Sequence, residues 1–308
     1  MRKLLLLGAG GFIGKALCYE LSKDYLIKAF DIIPDSKLQS LSSIEMVTGN
    51  FAALSDFTSI IKDIDIIIHL ISTTVPIEET SQIVSELETN VLPTIRLLEA
   101  LTKLSNPPEV IFISSGGTIY GNSNGEPCCE TDVLLPMCGY GMQKLTIENY
   151  ITFYGRYYNL PYKIVRVANV YGLDANYQKH QGIIPIYIRS LLQNNPITIY
   201  GDGDNTRDYI YILDLVNAIK KLLTYTGEHH IFNLGSGIGY TINEIIALIE
   251  KETKLSFVKI NFMTSRKCDV TYNVLNITIA RNELSWEPNY TLPIGIQTIY
   301  KSYTDLLT

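Results

Sequence analysis

Seven residues near the start of the chain, Gly8-Ala9-Gly10-Gly11-Phe12-Ile13-Gly14, constrain its fold more than any others. They follow a short apolar run, Leu4–Leu7, and open a stretch of helical spacing from about Phe12 to Lys23. A strand that turns on glycines into a helix begins a βαβ unit. The helix start it creates presents backbone N–H groups without intrahelical partners, which suits an anion. The glycines stand at 8, 11 and 14, a GxxGxxG spacing rather than GxGxxG. Gly8 and Gly11 would let the backbone approach a pyrophosphate, and Gly14 would let helix and strand pack closely. Turn geometry alone could also explain them, but their position directly after a first strand favours the phosphate.

Strand-like and helix-like segments then alternate. Leu26–Phe30 reads as a second strand. Ile64–Ile71 (IDIIIHLI) is a nearly continuous β-branched run, the pattern of a parallel strand covered on both faces, and Val110–Ser114 is another. Between them Glu79–Leu104 has helical periodicity interrupted by Pro93. A helix is expected over Tyr140–Tyr157 and a strand over Tyr162–Val167. This order predicts an α/β fold, a doubly wound parallel sheet of Rossmann-like type with right-handed crossovers. After Asn169 the pattern loosens. Helices are expected at Ile184–Gln193, Asp214–Tyr225 and Thr241–Lys251, the last with a Thr241/Glu244 capping box. Strands are expected at Pro196–Tyr200 and Ile231–Leu234. Residues 1–168, with 210–235 returning to them, should form the first domain, and 169–308 a smaller interleaved α/β lobe.

Within that frame Tyr140-Gly141-Met142-Gln143-Lys144 places a phenol and an ammonium on one helix face, a turn apart. The Lys charge can favour the phenolate and make Tyr140 a general base. Asp31 ends the second strand, 17 residues after Gly14. A carboxylate there accepts both ribose hydroxyls of NAD and repels the 2′-phosphate of NADP, and no Arg lies within three residues of it. NAD is therefore the expected cofactor. A solvated strand-end carboxylate is the plainer alternative for Asp31.

The remaining composition mostly excludes. A net charge of −6 gives no electrostatic reason to expect nucleic acid. The apolar run after Arg2-Lys3 breaks at Gly8, too short for a signal peptide or a membrane span. Cys18, Cys128, Cys129, Cys138 and Cys268 form no CxxC pair, and neither they nor His180, His229 and His230 show metal spacing, so no metal site is expected. Reduced thiols and a cytoplasmic location follow. His69 ends a strand near the expected cofactor, where packing is its preferred role.

Taken together, five ordered blocks resemble the extended short-chain dehydrogenase/reductase family, specifically its NAD-dependent nucleotide-sugar epimerases and dehydratases, such as UDP-glucose 4-epimerases. They are Gly8–Gly14 with Asp31; Ile113-Ser114-Ser115-Gly116-Gly117-Thr118-Ile119-Tyr120-Gly121; Tyr140/Lys144; Arg166–Gly172; and Gly201–Gly203 through Arg207-Asp208-Tyr209-Ile210, followed by Glu283–Pro288. The resemblance implies that Tyr140 is the catalytic base and Lys144 its partner. It places Gly8, Gly11, Phe12, Ile13, Gly14, Asp31, Asn50, Phe51, Leu70, Asn90, Ser114, Tyr140 and Lys144 around the cofactor. It places Asn169, Arg207, Arg266, Asp269 and Asn273 on the nucleotide sugar, UDP-linked or dTDP-linked. Outside a family motif, Arg207 would read as a surface ion pair with Asp204 or Asp208.

The chain also departs from the family. Gly116 stands where a Ser or Thr usually donates to the sugar 4-oxygen, a loss of about 2.7–4 kcal/mol if nothing replaces it. Thr118 is the preferred stand-in and Ser115 the other; a third reading of the same site is that Tyr140 and Lys144 suffice. Gly117 and Thr118 replace a dehydratase Asp-Glu pair, which argues against water loss. Asn50 replaces an Asp that often contacts adenine. Asn273, where a bulky Tyr is common, would leave room for a 2-acetamido group.

The expected function is therefore a 4-epimerase acting on a UDP-hexose or UDP-N-acetylhexosamine through a 4-keto intermediate. The alternative is an NAD(P)H-dependent 4-ketohexose reductase that makes a deoxysugar nucleotide, and a third class is a paralogue that binds dinucleotide without turnover. The resemblance further implies a homodimer through the helices near 80–104 and 140–157 and, by analogy, polysaccharide precursor supply.

Overall fold

The computed structural model describes residues 1–74, 83–173 and 182–307. The chain divides into two compact units of nearly equal length, so the second is not markedly the smaller. One comprises Met1–Ile119, Cys138–Arg166 and Thr226–Phe232, and the other Tyr120–Met137, Val167–Tyr225 and Asn233–Thr308. Of the segment expected to return at 210–235, residues 226–232 lie in the first unit, and residues 120–137 group with the second.

The first unit is built on a seven-stranded sheet. Its strand order is Ile231–Leu234, Tyr162–Val167, Glu109–Ser115, Ile66–His69, Lys3–Leu7, Leu26–Asp31 and Ile44–Thr48. The pairs from Glu109–Ser115 out to Ile44–Thr48 run parallel, with Leu4 beside both Ile27 and Ile66. Leu4 to Leu7 are all fully buried, which explains why the strand reads as an unbroken apolar run. Leu5 and Leu7 enter a core with Ile67, Val110 and Phe112, covered by Leu97, Leu98 and Leu101 and by Ile147 and Ile151. Leu4 and Leu6 alternate to the other face. The helix Phe12–Leu21 buries Leu17, Cys18 and Leu21, none of which belongs to that core.

The helix expected over Glu79–Leu104 departs from regularity in a specific way. Residues 79–82 lie outside the described residues. From Ile83 the backbone is α-helical to Glu86, passes through a π turn at Leu87–Val91, and resumes as α-helix over Leu92–Leu101. Pro93 sits in the first turn of that last segment, directly after the π turn. The proline is accommodated by a change of register instead of a break, and π turns of this kind concentrate at functional sites.

The second unit is organised around the strand Thr206–Tyr211, which the alternation did not reveal. It pairs with Gly239–Thr241 (antiparallel) and with Tyr272–Asn273 and Asn169–Tyr171 (both parallel). Ile197–Tyr200 and Ile260–Met263 form a separate parallel pair. The helix Ile242–Thr253 starts with the expected capping box: Glu244 N–H donates to Thr241 Oγ1 at 3.1 Å and Thr241 N–H to Glu244 Oε2 at 2.8 Å. Trp286, fully buried, donates from Nε1 to the Asp214 carbonyl at 3.2 Å.

Asp208 ties this unit together. It is fully buried. Its carboxylate accepts from Ser236 N–H and Oγ (both 2.7 Å), Gly237 N–H (3.1 Å) and Leu275 N–H (3.2 Å). Three chain segments thus converge on one side chain that nothing else could satisfy. Asp208→Ala should lower unfolding free energy by at least about 3 kcal/mol, because it strands several buried donors at once. Urea unfolding of the two proteins measures it, and a loss under about 1 kcal/mol would contradict that account.

Candidate active site

The glycine turn forms a tight cradle between strand and helix. Gly8 adopts φ +90°, and its N–H donates to the Phe30 carbonyl at 2.9 Å. A Cβ on Gly14 would lie 2.2 Å from the Gly8 carbonyl oxygen. The helix that follows begins at Phe12 with Gly11 as N-cap, and no side chain occupies the first-turn N–H groups of Phe12 and Ile13. Asp31 closes the cradle. Its Oδ2 accepts from Gly10 N–H at 2.8 Å and its Oδ1 from Ile32 N–H at 2.7 Å. A side chain on Gly10 would meet that carboxylate at 3.1 Å.

Around the cradle, three expected residues are engaged locally. Asn50 Oδ1 accepts from Ala52 N–H at 3.0 Å and caps the short turn Phe51–Ala53. The Phe51 ring is buried, edge-on to Phe57 and His69. Leu70 is half-buried and donates its N–H to the Leu7 carbonyl at 2.9 Å.

Tyr140 and Lys144 stand on the helix Gly139–Tyr158, capped by Cys138, whose Sγ accepts from Gly141 N–H. Lys144 is buried, and its Nζ donates to the Ile113 carbonyl at 3.0 Å and lies 5.8 Å from the Tyr140 ring centre. Loss of water pushes the Tyr140 hydroxyl up to about 12, against a hydrogen bond with Ser115 that lowers it. Burial pulls Lys144 down to about 8, opposed by the charge of Glu148 one turn on. With no other charge beside it, the Tyr140 hydroxyl therefore holds its proton at neutral pH; Lys144 alone does not produce the phenolate.

Three hydroxyls stand where the Glu109–Ser115 strand gives way to the next helix. Ser115 is the one on Tyr140. Ser114 Oγ and Thr118 Oγ1 are buried with no hydrogen-bond partner, positions that a bound polar group would satisfy. Gly116 is buried at the start of the short helix Gly116–Ile119. So the hydroxyl that accompanies Tyr140 is that of Ser115, whereas Thr118, the preferred stand-in, holds an unused one.

Asn90 occupies the π turn. Its Oδ1 accepts from Thr73 N–H at 2.9 Å and its Nδ2 donates to Thr73 Oγ1 at 2.8 Å, fixing the loop after the Ile66–His69 strand. His69 is fully buried, its Nε2 2.8 Å from Thr94 Oγ1, and Thr94 donates on to the Asn90 carbonyl at 2.6 Å. Burial and then the Lys144 charge hold the ring down to about 3, so it packs as a neutral imidazole. Gln143 was not singled out by spacing, although it lies three residues from Tyr140 on the same face. It is buried, its Nε2 donates to Thr74 Oγ1 at 2.6 Å, and its Oε1 has no partner.

The other expected binding residues belong to the second unit, gathered on and beside its central strand. Arg207 is half-buried and donates from Nη1 to the Thr206 carbonyl at 3.0 Å. Burial lowers its pKa, partly offset by Tyr209 and Asp269. The Asp208 carboxylate is consumed by Ser236, Gly237 and Leu275, and Asp204 accepts from Asn243 at 2.9 Å, so the simple surface ion pair is not what holds Arg207. Asn169 is exposed and donates from Nδ2 to the Asp208 carbonyl at 3.1 Å. Asn273 is fully buried and registers against Arg207. Arg266 stacks 3.7 Å above the Tyr200 ring, and its N–H faces Asp269 Oδ2 at 3.4 Å. Among the described residues no three His, Cys, Asp or Glu side chains gather as a metal site; His180 lies outside them. Cys128 is buried.

These residues fit a dinucleotide. The cradle excludes a Cβ at Gly14, the helix start is uncapped by side chains, and Ser114 Oγ is a buried hydroxyl without a partner. Comparison with known proteins agrees. The model of the NAD dependent epimerase/dehydratase family matches residues 4–235. The chain is 34% identical to a dTDP-4-dehydro-6-deoxyglucose reductase of Escherichia coli, covering 97% of this chain and 96% of the relative. Among solved structures it is similar to the UDP-glucose 4-epimerase of Thermotoga maritima with UDP-glucose, at TM-score 0.90, 28% identity and full coverage of both chains. It is also similar to the UDP-glucuronic acid 4-epimerase of Bacillus cereus with UDP-glucuronic acid and NAD, at TM-score 0.89 and 27% identity over 99% of this chain and 100% of that one.

The depressed Lys144 carries a stability signature. Below about pH 8 the ammonium is charged in both folded and unfolded chains, and only the folded chain bears the cost of burying it. Between pH 8 and the ordinary lysine value of 10.5 the unfolded chain binds more protons, so this contribution to stability rises with pH. Lys144→Met should therefore be stabilised relative to wild type at pH 7, by about 2 kcal/mol, with the difference shrinking towards pH 10. Thermal unfolding of both proteins at the two pH values checks the sign; a difference independent of pH would contradict a buried, depressed lysine.

Proposed function

The chain belongs to the NAD dependent epimerase/dehydratase family, and from that premise we propose a nucleotide-sugar 4-epimerase that inverts C4 of a UDP-hexose or UDP-N-acetylhexosamine. The observation that carries the reading is the Tyr140 hydroxyl, hydrogen-bonded to Ser115 with the Lys144 ammonium a turn away. NAD is the cofactor the family uses; bound in this cradle it would supply a hydride acceptor and donor and a positive charge. The N–H groups of Phe12 and Ile13 would hold its pyrophosphate and Asp31 its adenosine ribose. Tyr140 Oη would take the proton of the sugar 4-hydroxyl during oxidation and give it back to the other face, with Ser115 Oγ on the same oxygen. Arg207 and Arg266, with Asn169 and Asp269, would keep the nucleotide anchored while the 4-keto sugar turns over, since planar guanidinium groups pair bidentately with phosphates. Asn273, smaller than the Tyr common at this position, would leave room for a 2-acetamido substituent.

A second reading, a 4-ketohexose reductase consuming NADH, is favoured by two observations. Gly116 removes a hydroxyl whose loss hurts oxidation of an unactivated alcohol more than reduction of a ketone. The Tyr140 hydroxyl is also protonated as it stands, as a proton donor must be. The Escherichia coli relative is a reductase by name. The two readings separate cleanly in solution. Purified protein given UDP-glucose, UDP-N-acetylglucosamine or UDP-glucuronate, with no added cofactor, should produce a galacto-configured anomeric proton signal that settles at a fixed ratio. Tyr140→Phe should slow this about 10²–10⁴-fold. No new signal from any of the three, with NADH oxidised on adding a 4-keto sugar nucleotide, would establish the reductase instead.

We also propose a homodimer in the cytoplasm, serving polysaccharide precursor supply. None of the five cysteines forms a disulfide, which suits a reducing compartment, and no described helix is long and apolar enough to span a membrane. Exposed apolar side chains on the two helices expected at the interface support self-association: Ile83, Val84 and Leu87 on one, Met142, Phe153 and Tyr157 on the other. Light scattering should return about twice the 34.6 kDa chain mass, and Phe153→Glu should return one. A wild-type monomer at micromolar concentration would contradict the dimer.

A further inference from the structure

Lys15 and Asp35 form an ion pair beside the cradle that no motif points to. Lys15 follows Gly14 directly, and its N–H donates to the Gly11 carbonyl at 2.9 Å, in the first turn of the helix that opens at the cradle. Its Nζ lies 2.7 Å from Asp35 Oδ2, and both side chains are largely buried, at 14% and 16% exposure. Asp35 is also held from its other oxygen, since Oδ1 accepts from Lys37 N–H at 3.0 Å and Leu38 N–H at 3.1 Å. Cys18, three residues on from Lys15 and on the same helix face, senses both Asp35 and Asp31. Asp31 is tied to the same turn through Gly10 N–H at 2.8 Å, so both carboxylates and the ammonium are held to one glycine turn, Asp31 through Gly10 and Asp35 through Lys15.

We propose that Asp35 is a second determinant of cofactor choice: by holding Lys15, it withholds from the dinucleotide site the cation that a 2′-phosphate would require. The inference rests on the reading of Gly8–Gly14 and Asp31 as a dinucleotide site. Asp31 repels a phosphate dianion directly. Asp35 acts on the cation, and it keeps the charge of these three groups at one net negative. A ribose diol needs only hydrogen-bond acceptors and tolerates this. A 2′-phosphate needs an opposite charge within a few ångströms, and the flexible stem of Lys15 could supply it once freed. The absence of Arg near Asp31 in sequence is thus only half of the selectivity. The nearby cation is brought in by the turn and neutralised in place.

Asp35→Asn tests this with little disturbance, since Asn caps a helix as well as Asp and has the same shape. NADH and NADPH are titrated by nucleotide fluorescence into wild type, Asp35→Asn, and Asp35→Asn combined with Lys15→Ala, and the melting temperature of each is recorded. Wild type should bind NADH more tightly than NADPH. Asp35→Asn should tighten NADPH roughly tenfold while moving NADH far less, as expected for removing one charge and freeing its opposite near the phosphate. Adding Lys15→Ala should abolish the gain. NADPH affinity unchanged in Asp35→Asn, with NADH binding intact, would overturn the proposal alone and leave the pair a staple of the loop. A gain that survives Lys15→Ala would also overturn it, because release of the cation would not be the cause. Wild type binding neither nucleotide would overturn it together with the dinucleotide reading.

Discussion

A Cβ at Gly14 would stand 2.2 Å from the Gly8 carbonyl, and much of the first unit follows from that prohibition. Only with hydrogen at this position can the helix start within one turn of the strand end. That contact brings the N–H groups of Phe12 and Ile13 to the carboxyl edge of the sheet, where parallel strands deliver their functional side chains. It also brings Gly10 N–H onto the Asp31 carboxylate at 2.8 Å, so the end of the neighbouring strand is stapled to the turn. One turn further along the same helix, Lys15 reaches Asp35. Cradle, strand-end carboxylate and ion pair are consequences of a single close approach between two backbones.

The chemistry at the other end of the site is set by dehydration. Tyr140 and Lys144 have each lost most of their water, and each has moved towards its neutral form, the phenol up to about 12 and the ammonium down to about 8. A hydroxyl in this condition gives up its proton more readily when positive charge arrives beside it, and on the proposed reading a bound cofactor would supply that charge. It also takes the proton back readily, which the proposed epimerase would need. Ser115 supports either direction, because a hydroxyl can donate to one oxygen and accept from another.

Much of this was legible in the residues, unevenly and for physical reasons. Strands covered on both faces, such as Leu4–Leu7 and Ile66–Ile68, announce themselves because every side chain must be apolar. The strand Thr206–Tyr211 did not. Its residues include Arg207 and the buried Asp208, whose burial is made tolerable by Ser236, Gly237 and Leu275, far away in sequence. The capping box at Thr241 was legible because it is local. Tyr140 and Lys144 were legible as a pair, but their proton affinities were not, since burial, which spacing does not report, outweighs their mutual attraction. Ser115 and Thr118 could not be ranked from sequence, because which hydroxyl meets Tyr140 depends on where the Glu109–Ser115 strand gives way to the helix at Gly116.

One buried ion pair bears on all of this without touching the reacting atoms. Glu148 lies four residues after Lys144 on the same helix face, and a free carboxylate there would claim the ammonium for itself. It is not free. Arg166 grips it, with Nη2 2.8 Å from Oε2 and Nε 3.3 Å from Oε1 and 3.2 Å from Oε2, both side chains almost wholly buried. A pair of this kind adds little net stability, since desolvation offsets most of the attraction. What it accomplishes here is to spend the Glu148 charge on a partner other than Lys144. The ammonium is left to the Ile113 carbonyl, facing Tyr140 rather than turned away from it. The residual field of Glu148 still raises Lys144 against the pull of burial, so the lysine remains largely charged at neutral pH. A lysine fully paired with Glu148 would be held away from the phenol, and one buried with no acid near it would be closer to losing its charge. Arg166, on the strand Tyr162–Val167 within the same unit, is thus part of what keeps a cation available beside Tyr140.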